Sequence, residues 1–272
     1  MDTDKGPLHA SGSIVVSHEV VQGVCTRWPD RGQAWVTSVG AEFTELCRRY
    51  RARPVEILKA RYGFVVSVET ADGRSLVLKS TPDPAGELQA AAAERLAKLA
   101  IGPTVHEVVG SDVGTWTVMD LVQPGTRAIR SSSLDELAEL LRPLVAASPA
   151  PDFPPISAWL RERLLDDGAA DLPPGVPVAS PEERARALPI LDDLVTAESH
   201  SLCHGDVSSG NVLRGPHGLQ LIDPRAVSGD VEYDSAVVAL KAGQSIHQMA
   251  RCLEVDVNRA EAWGVVAVAA RV

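Results

Sequence analysis

The chain has 272 residues, of which 45% are hydrophobic and 23% charged, the balance of an ordinary globular protein. Lys and Arg number 26 against 36 Asp and Glu, so the net charge is −10, the wrong sign for a nucleic-acid-binding surface. Apolar stretches such as Val265–Ala270 fall short of the roughly 20 residues of a membrane span. The start of the chain lacks the apolar core of a signal peptide. We therefore expect a cytoplasmic protein without nucleic-acid or membrane partners.

The first part of the chain is expected to be rich in strands. Residues 13–17 predict a short strand, and Gln33–Tyr50 predicts a helix because its apolar residues recur every four positions. Phe64–Glu69 and Leu76–Lys79 flank the dipeptide Asp72-Gly73. Both residues of that dipeptide tolerate positive φ, so the segment predicts a β-hairpin.

A helix is predicted after the hairpin. Asp83-Pro84 is typical of a helix start, and the pattern stops near Gly102-Pro103. Trp116–Val122 then predicts another strand. Residues 54–122 therefore predict the order strand, strand, helix, strand, strand.

The remainder of the chain predicts mainly helices. Their predicted bounds are Leu134–Ala146, Ile156–Leu165, Glu182–Glu198 and 233–270. Val212–Arg214 and Leu219–Ile222 predict a small hairpin between the last two of these. We expect an α+β fold with two lobes and a cleft between them, a β-rich lobe over residues 1–122 and a helical lobe over residues 123–272.

Three polar residues are placed by this hairpin. Asp206 and Asn211 precede it and Asp223 follows it, and a hairpin brings its two ends together. Carboxylate and amide oxygens are the ligands that Mg²⁺ prefers. The pattern His-Gly-Asp followed by Asn211 and then Asp223 has the spacing of a kinase catalytic loop and its metal-binding aspartate.

Each residue type suits phosphoryl transfer from ATP. A carboxylate must orient a hydroxyl and accept its proton, which is the role expected of Asp206. Asn211 and Asp223 are expected to hold Mg²⁺ against the phosphates. A cation from the β-rich lobe is also needed, and Lys79 ends a predicted strand. A solvated strand end is the alternative for Lys79, but its position relative to the loop favours phosphate binding.

A glutamate from the following helix is expected to pair with Lys79. Glu87 and Glu94 are seven residues apart, and about 700° of helical rotation places them on nearly the same face. Geometry does not choose between them. Glu94 has Lys98 at i+4, the spacing of an exposed surface pair, which favours Glu87 as the buried partner.

Competing interpretations of nearby residues are weaker. His204 and His200 could suggest a metal site, but no other His or Cys lies at a suitable spacing, and the four cysteines form no CxxC pair. Asp230 and Asp234 could bind a basic ligand. We expect instead that Asp234 caps a helix or bonds to the loop backbone. Trp159, Trp263 and Met249 are expected in the core.

The motif HGDVSSGN followed by LIDP resembles the aminoglycoside phosphotransferase superfamily. The segments GQAWVTSVG, DGRSLVLK, GELQAAAAERLAKLAIGP and IDPRAVSGDVEYD resemble its streptomycin 6-kinase and hydroxyurea phosphotransferase branch, and the likeness covers most of residues 30–268. The resemblance implies a protein-kinase-like fold and ATP-dependent phosphorylation of a hydroxyl. It also implies Asp206 as catalytic aspartate, Asn211 and Asp223 as magnesium ligands, and Lys79 on the phosphates with Glu87 as its partner.

The implied acceptor is a small hydroxyl compound, with a cationic antibiotic such as streptomycin as the expected substrate and resistance or self-protection as the role. The chain differs from the branch at Ser208-Ser209, where two histidines are usual, and Ala60–Phe64 holds one glycine where kinases carry a glycine-rich loop. Two alternatives stay open. One is a metabolic kinase for a sugar or amino-alcohol, and the other is a catalytically silent nucleotide-binding relative.

Overall fold

The computed structural model describes residues 16–166, 172, 176–208 and 210–272. The chain divides into two compact units, described separately below. The first is Met1–Ala90 with Pro103–Leu121, and the second is Ala91–Gly102 with Val122–Val272. The strand predicted at 13–17 lies almost entirely outside the described residues. Within the described part of the chain, no helix is both long enough and apolar enough to cross a membrane.

A five-stranded sheet forms the centre of the first unit. Its strands are β1 (Ala52–Leu58), β2 (Phe64–Thr70), β3 (Ser75–Thr81), β4 (Val105–Gly110) and β5 (Thr115–Asp120). They lie in the order β1-β2-β3-β5-β4, and every neighbouring pair is antiparallel. The predicted hairpin between β2 and β3 is confirmed, and Gly73 in its turn has φ +83°.

Strand β1 was not predicted, so three strands precede the helix rather than two. β1 lies at the edge of the sheet and its register with β2 shifts between Pro54 and Glu56. Proline cannot donate a ladder hydrogen bond and is tolerated at an edge or a bulge. The strand also alternates only weakly between buried and exposed positions, which removes the period-2 signal.

Two helices, α1 (His18–Arg27) and α2 (Pro29–Tyr50), pack on one face of this sheet. The predicted period of α2 is confirmed, because Trp35, Val39 and Phe43 are buried in the same cluster as Leu76 and Leu78 of β3. Helix α1 was not predicted; Ser17 precedes its first residue and accepts a hydrogen bond from the amide of Val20 through its side chain, which caps the helix.

Helices dominate the second unit, in agreement with the predicted α+β fold class. They are α3 (Gly86–Lys98, which begins in the first unit), α4 (Leu134–Val145), α5 (Ile156–Leu165), α6 (Pro181–Val195), α7 (Val231–Ala242), α8 (Ile246–Leu253) and α9 (Val257–Ala269). The predictions for α4, α5 and α6 are confirmed to within a few residues. The segment predicted as one helical region at 233–270 is three helices, interrupted where Gly243 and Glu254 adopt positive φ.

Five short strands accompany these helices. They are β6 (Thr126–Arg127), β7 (Ser201–Cys203), β8 (Val212–Gly215), β9 (Gly218–Leu221) and β10 (Val227–Gly229). β7 pairs with β10, while β6, β8 and β9 form a second small sheet. The predicted hairpin is the pair β8 and β9. One core cluster, which includes Leu141, Ile156, Tyr233 and Trp263, holds these elements together.

Candidate active site

The β8–β9 hairpin places Asn211 beside Asp223. The last pair of the β8–β9 ladder is Val212 with Leu221. The amide of Ile222 donates to the carbonyl of Asn211 at 3.0 Å, so the hydrogen bonding between the two strands continues for one more residue. Asp223 therefore lies directly after the residue bonded to Asn211. The sequence prediction that the hairpin brings these two positions together is confirmed.

Asp206 joins them through the backbone of the preceding loop. The carbonyl of Asp206 accepts from the amide of Ser208 at 2.8 Å and from Nδ2 of Asn211 at 2.9 Å. The amide of Asn211 donates to the carbonyl of Ser208 at 3.0 Å. This tight turn holds Asp206 and Asn211 next to each other, so the three predicted residues converge. Their catalytic and metal-binding roles stay predictions.

The donor set fits a magnesium ion. The side-chain nitrogen of Asn211 is bonded to the Asp206 carbonyl, which leaves the amide oxygen as the side-chain group able to meet a cation. Asp223 is exposed at the end of the hairpin. Among the described residues, no three His, Cys, Asp or Glu side chains form a metal-binding group. Mg²⁺ commonly binds through one or two carboxylates and completes its shell with water and substrate phosphates.

The electrostatic surroundings of Asp206 are mixed. Its side chain is 37% exposed, and Nη2 of Arg225 lies 3.8 Å from its Oδ2. Burial raises the pKa of the Asp206 carboxyl, the positive charge of Arg225 opposes that rise, and the charge of Asp223 adds to it. Lys241 and Arg163 also act to lower this pKa.

Asp234 anchors the loop that carries Asp206, from the first turn of α7. Its side chain is fully buried and accepts from the amide of His204 at 2.6 Å and from the amide of Gly205 at 3.0 Å. The expectation that Asp234 bonds to the loop backbone is confirmed. A buried carboxylate satisfies two amides that have no water to bond with, which fixes the loop just before Asp206.

Asp230 is buried in a second network. It accepts from the amide of Ser199 at 2.7 Å, from Nε of Arg259 at 2.7 Å and from Nε1 of Trp263 at 2.8 Å. Trp263 is fully buried, as predicted. Because the side chains of Asp230 and Asp234 are both buried and hydrogen-bonded to other groups of the protein, neither presents a carboxylate to a ligand.

His204 and Gly205 shape the backbone before Asp206. The buried imidazole of His204 lies 2.9 Å from the carbonyl of Ile222 through Nε2 and 3.3 Å from the amide of Asp206 through Nδ1. Burial lowers the pKa of His204, so the ring is held neutral. Gly205 has φ +78°, and a β-carbon there would lie 2.4 Å from Cγ2 of Val227.

Lys79 and Glu87 lie in the first unit. Lys79 pairs with Val65 and Thr117 in the sheet and is half-buried, on the face of β3 opposite to the one that α2 covers. Glu87 is exposed rather than buried as predicted, and a β-carbon at Gly110 would lie 2.7 Å from its Oε1. The pairing of Lys79 with Glu87 stays a prediction.

The sequence missed a set of residues near Asp206. Arg225 follows the Asp-Pro dipeptide, and Lys241 lies near the end of α7. Trp159 packs against the core as predicted but is also partly exposed, and its ring contacts Arg225. These residues come from three distant segments of the chain, so no local spacing could have joined them.

The chain belongs to the phosphotransferase enzyme family APH, whose model matches residues 55–270. No curated protein sequence matches the chain significantly. Solved structures are similar in fold. The choline kinase LicA from Streptococcus pneumoniae aligns with TM-score 0.65 at 15% identity, over 86% of this chain and 88% of that chain.

Two antibiotic-modifying enzymes align as well. An aminoglycoside-3'-phosphotransferase of type VIII gives TM-score 0.54 at 22% identity, over 82% of this chain and 96% of that chain. A thermostable mutant of the aminoglycoside phosphotransferase APH(4)-Ia, in a ternary complex with AMP-PNP and hygromycin B, gives 0.57 at 17% identity, over 82% and 87%. These likenesses confirm the predicted protein-kinase-like fold, and the family match over residues 55–270 confirms the superfamily. The streptomycin 6-kinase branch stays a prediction.

Proposed function

We propose that this protein is an ATP-dependent O-phosphotransferase that transfers the γ-phosphoryl group to a hydroxyl of a small molecule. The observation that carries the proposal is the convergence of Asp206, Asn211 and Asp223 at the end of one hairpin, in a member of the phosphotransferase family. Structural neighbours crystallised with AMP or with AMP-PNP support a nucleotide as the donor.

Each residue has a distinct role in the proposed reaction. Asp206 accepts the proton of the acceptor hydroxyl while the oxygen–phosphorus bond forms and the bond from the γ-phosphorus to ADP breaks. Asn211 and Asp223 would hold Mg²⁺, which when bound neutralises phosphate charge. Lys79 would contact the α- and β-phosphates, with Glu87 as its partner. Catalysis then rests mainly on positioning and charge neutralisation.

The acceptor defines the biological role. The sequence resemblance favours an antibiotic such as streptomycin, and therefore resistance or self-protection in the cytoplasm. A metabolic alcohol is the alternative, and the fold likeness to a choline kinase is compatible with it. The presence of all four polar residues, Lys79, Asp206, Asn211 and Asp223, argues against a catalytically silent protein.

An ADP-release assay with Mg²⁺, ATP and a panel of antibiotics, amino sugars and metabolic alcohols tests the proposal. Asp206→Ala should lower turnover by about 10²- to 10⁴-fold, the usual contribution of a general base, while ATP binding survives. Asp193→Ala, which changes an exposed aspartate of α6, is the matched control and should keep full turnover. Undiminished turnover in Asp206→Ala would remove this residue from the reaction. ATP binding without turnover of any acceptor would favour the silent alternative.

A further inference from the structure

The carboxylate of Asp206 is held loosely by the loop that carries it. Its side chain is 37% exposed and, among the described residues, accepts no hydrogen bond, whereas its backbone carbonyl accepts two. A guanidinium nitrogen, Nη2 of Arg225, lies 3.8 Å from its Oδ2. That separation is longer than a hydrogen bond, so the lone pairs of the carboxylate stay available to a hydroxyl proton. Arg225 is therefore close enough to orient the carboxylate without occupying it.

The backbone of Arg225 is fixed beside the same loop. Its amide donates to the carbonyl of His204 at 2.9 Å. Two residues of the turn that carries it, Asp223 and Ala226, both have φ +60°. Residues other than glycine adopt this conformation only where their surroundings impose it. The turn therefore places Arg225 next to the segment that precedes Asp206.

The ring of Trp159 fixes the other end of the Arg225 side chain. Cζ of Arg225 lies 4.0 Å from the centre of this ring. The side chain is 31% exposed, and its buried Nε has no hydrogen-bond partner in the part of the chain that the structure describes. An arginine side chain has several rotatable bonds, and stacking on an aromatic face restricts them. The contact with the ring is therefore what locates the guanidinium.

Trp159 is itself anchored to the second unit. It packs against the core cluster of that unit, and Arg163 follows it by one turn on the same face of α5. Cζ of Arg163 lies 4.7 Å from the centre of the Trp159 ring. Arg163 is buried and donates to the carbonyls of Ala270 and Arg271 at 2.8 and 3.1 Å. These contacts connect the ring to the turn that follows α9.

The position of Arg225, rather than its charge alone, matters for Asp206. The carboxylates of Asp223 and Asp234 act on the Asp206 side chain together with Arg225, so the charge around it is mixed. A guanidinium that was free to move would close on a carboxylate and bond to it directly. Direct bonds would occupy the oxygen lone pairs that must accept the hydroxyl proton. The contact with Trp159 opposes that movement.

We infer that Trp159 is a positioning residue for phosphoryl transfer, which acts through Arg225 by holding its guanidinium beside the carboxylate of Asp206 without a hydrogen bond between them. The inference rests on the proposed function. Asp206 then keeps one orientation and takes the proton of the acceptor hydroxyl, while the oxygen–phosphorus bond forms and the bond from the γ-phosphorus to ADP breaks. Trp159 contributes through Arg225 rather than through contact with the acceptor.

Steady-state kinetics of three single variants test the inference. ADP release is measured with the acceptor that the wild-type protein uses best. Arg225→Gln should lower kcat by about 10- to 100-fold and Trp159→Leu by about 10-fold, because a small misplacement of a reacting group is costly. The KM values for ATP and acceptor should stay within about twofold, as expected for an interaction that matters at the transition state. Trp159→Phe retains an aromatic face and should keep most of the wild-type kcat.

A double variant tests whether Trp159 acts through Arg225. Trp159→Leu should have no further effect on kcat in the Arg225→Gln background, because the ring then has no guanidinium to hold. Additive losses would give Trp159 an independent role and overturn the inference. A raised KM for the acceptor with an unchanged kcat would place Trp159 against the acceptor, which also overturns it.

Two controls separate positioning from a loss of stability. Phe153→Leu removes another aromatic ring of the same unit that contacts an arginine, since Cζ of Arg95 lies 5.4 Å from its centre. It should lower the melting temperature and leave kcat unchanged. Arg251→Gln, which changes an exposed arginine of α8, should change neither kcat nor KM. An equal loss of kcat in Phe153→Leu and Trp159→Leu would reduce the effect to destabilisation and overturn the inference.

An NMR measurement tests the stack without turnover. The Nε–H proton of Arg225, assigned by its absence in Arg225→Gln, should be shifted upfield by the ring current of Trp159. The shift should disappear in Trp159→Leu and persist in Phe153→Leu. If Trp159→Leu does not fold, Trp159→Met, which is apolar and has no ring, replaces it. A wild-type signal at the ordinary arginine position would show that the stack is absent in solution and overturn the inference.

The two proposals fail in different ways. Wild-type protein that binds ATP and turns over no acceptor would overturn the phosphotransferase and the positioning role with it. Turnover that depends on Asp206 but survives undiminished in Trp159→Leu would keep the phosphotransferase and overturn the positioning role alone.

Discussion

The sheet of the first unit and the loop around Asp206 in the second are held by different forces. The sheet depends on an apolar layer in which Leu76, Leu78, Trp35 and Phe43 are almost completely buried. The loop is held by a buried carboxylate, that of Asp234, which bonds to two successive amides. Apolar packing tolerates small changes in shape, whereas a buried polar anchor leaves unpaired groups as soon as one partner is removed.

The largest effect is expected from Asp234→Ala. The substitution leaves the amides of His204 and Gly205 buried without an acceptor, which should cost about 3 kcal/mol or more in the free energy of unfolding. Urea denaturation measures the loss, and turnover should fall with it. Asp234→Asn keeps one carbonyl acceptor and should lose less. Equal stability of wild type and Asp234→Ala would show that the loop has another anchor.

Two glycines with nearly the same φ, one in the loop before Asp206 and one in a turn of the sheet, test the same difference between the two regions. Gly205 has φ +78° and Gly73 has φ +83°, but a β-carbon meets Val227 only at the first position and nothing within 4 Å at the second. Gly205→Ala should therefore lower the free energy of unfolding by about 2 kcal/mol or more and also reduce turnover. Gly73→Ala should lower the free energy of unfolding by about 1 kcal/mol and leave turnover unchanged. Thermal denaturation of both variants measures the difference. Similar losses in both would mean that Val227 moves aside.

In the first unit, removal of a buried hydrogen bond between α2 and β3 should have a smaller effect on stability. Nε1 of Trp35 donates to Oγ of Ser80 at 2.8 Å. Trp35→Phe should lower the free energy of unfolding by about 1–2 kcal/mol, because the Ser80 hydroxyl loses its partner. Adding Ser80→Ala should recover part of that loss in a double-mutant cycle. An additive double variant would rule out a coupling through this hydrogen bond.

The smallest effect concerns pH. In the proposed reaction Asp206 must be ionised to accept a proton, and its pKa is raised, mainly by burial. The value of kcat/KM should therefore begin to decline on acidification at a pH above the usual titration range of an aspartate. Arg225 lowers this pKa, so Arg225→Gln should move the acid limb of the pH–rate profile to higher pH, while Arg251→Gln leaves it in place. A limb unmoved by Arg225→Gln would show that another group controls it.

Patterns local in sequence predicted much of this molecule. The period of α2, the Asp72-Gly73 turn and the spacing around Asp206 each involve residues close along the chain, so a single segment contains the whole signal. Strand β1 was not predicted because an edge strand that contains Pro54 and a bulge does not alternate regularly between apolar and polar residues. The prediction that Glu87 is buried was wrong because it rested on the i+4 spacing of Glu94 and Lys98, which carries no information on the burial of Glu87 itself.

Local sequence patterns could not predict which side chains lie beside Asp206. Trp159 belongs to α5 and Arg225 to a loop, and only the packing of these segments stacks Arg225 on the Trp159 ring beside Asp206. The net charge of −10 does not describe these surroundings, because the largest contribution to a local field comes from the nearest groups. The family was therefore accessible from the sequence, whereas the side chains around Asp206 required the fold.

The buried carboxylate of Asp230 has a consequence for shortened versions of the chain. It joins Ser199, ahead of β7, to Arg259 and Trp263 of α9. A product that ended before α9 would leave the buried side chain of Asp230 without its partners Arg259 and Trp263. Premature termination before α9, or its proteolytic removal, should consequently yield no partly working fragment.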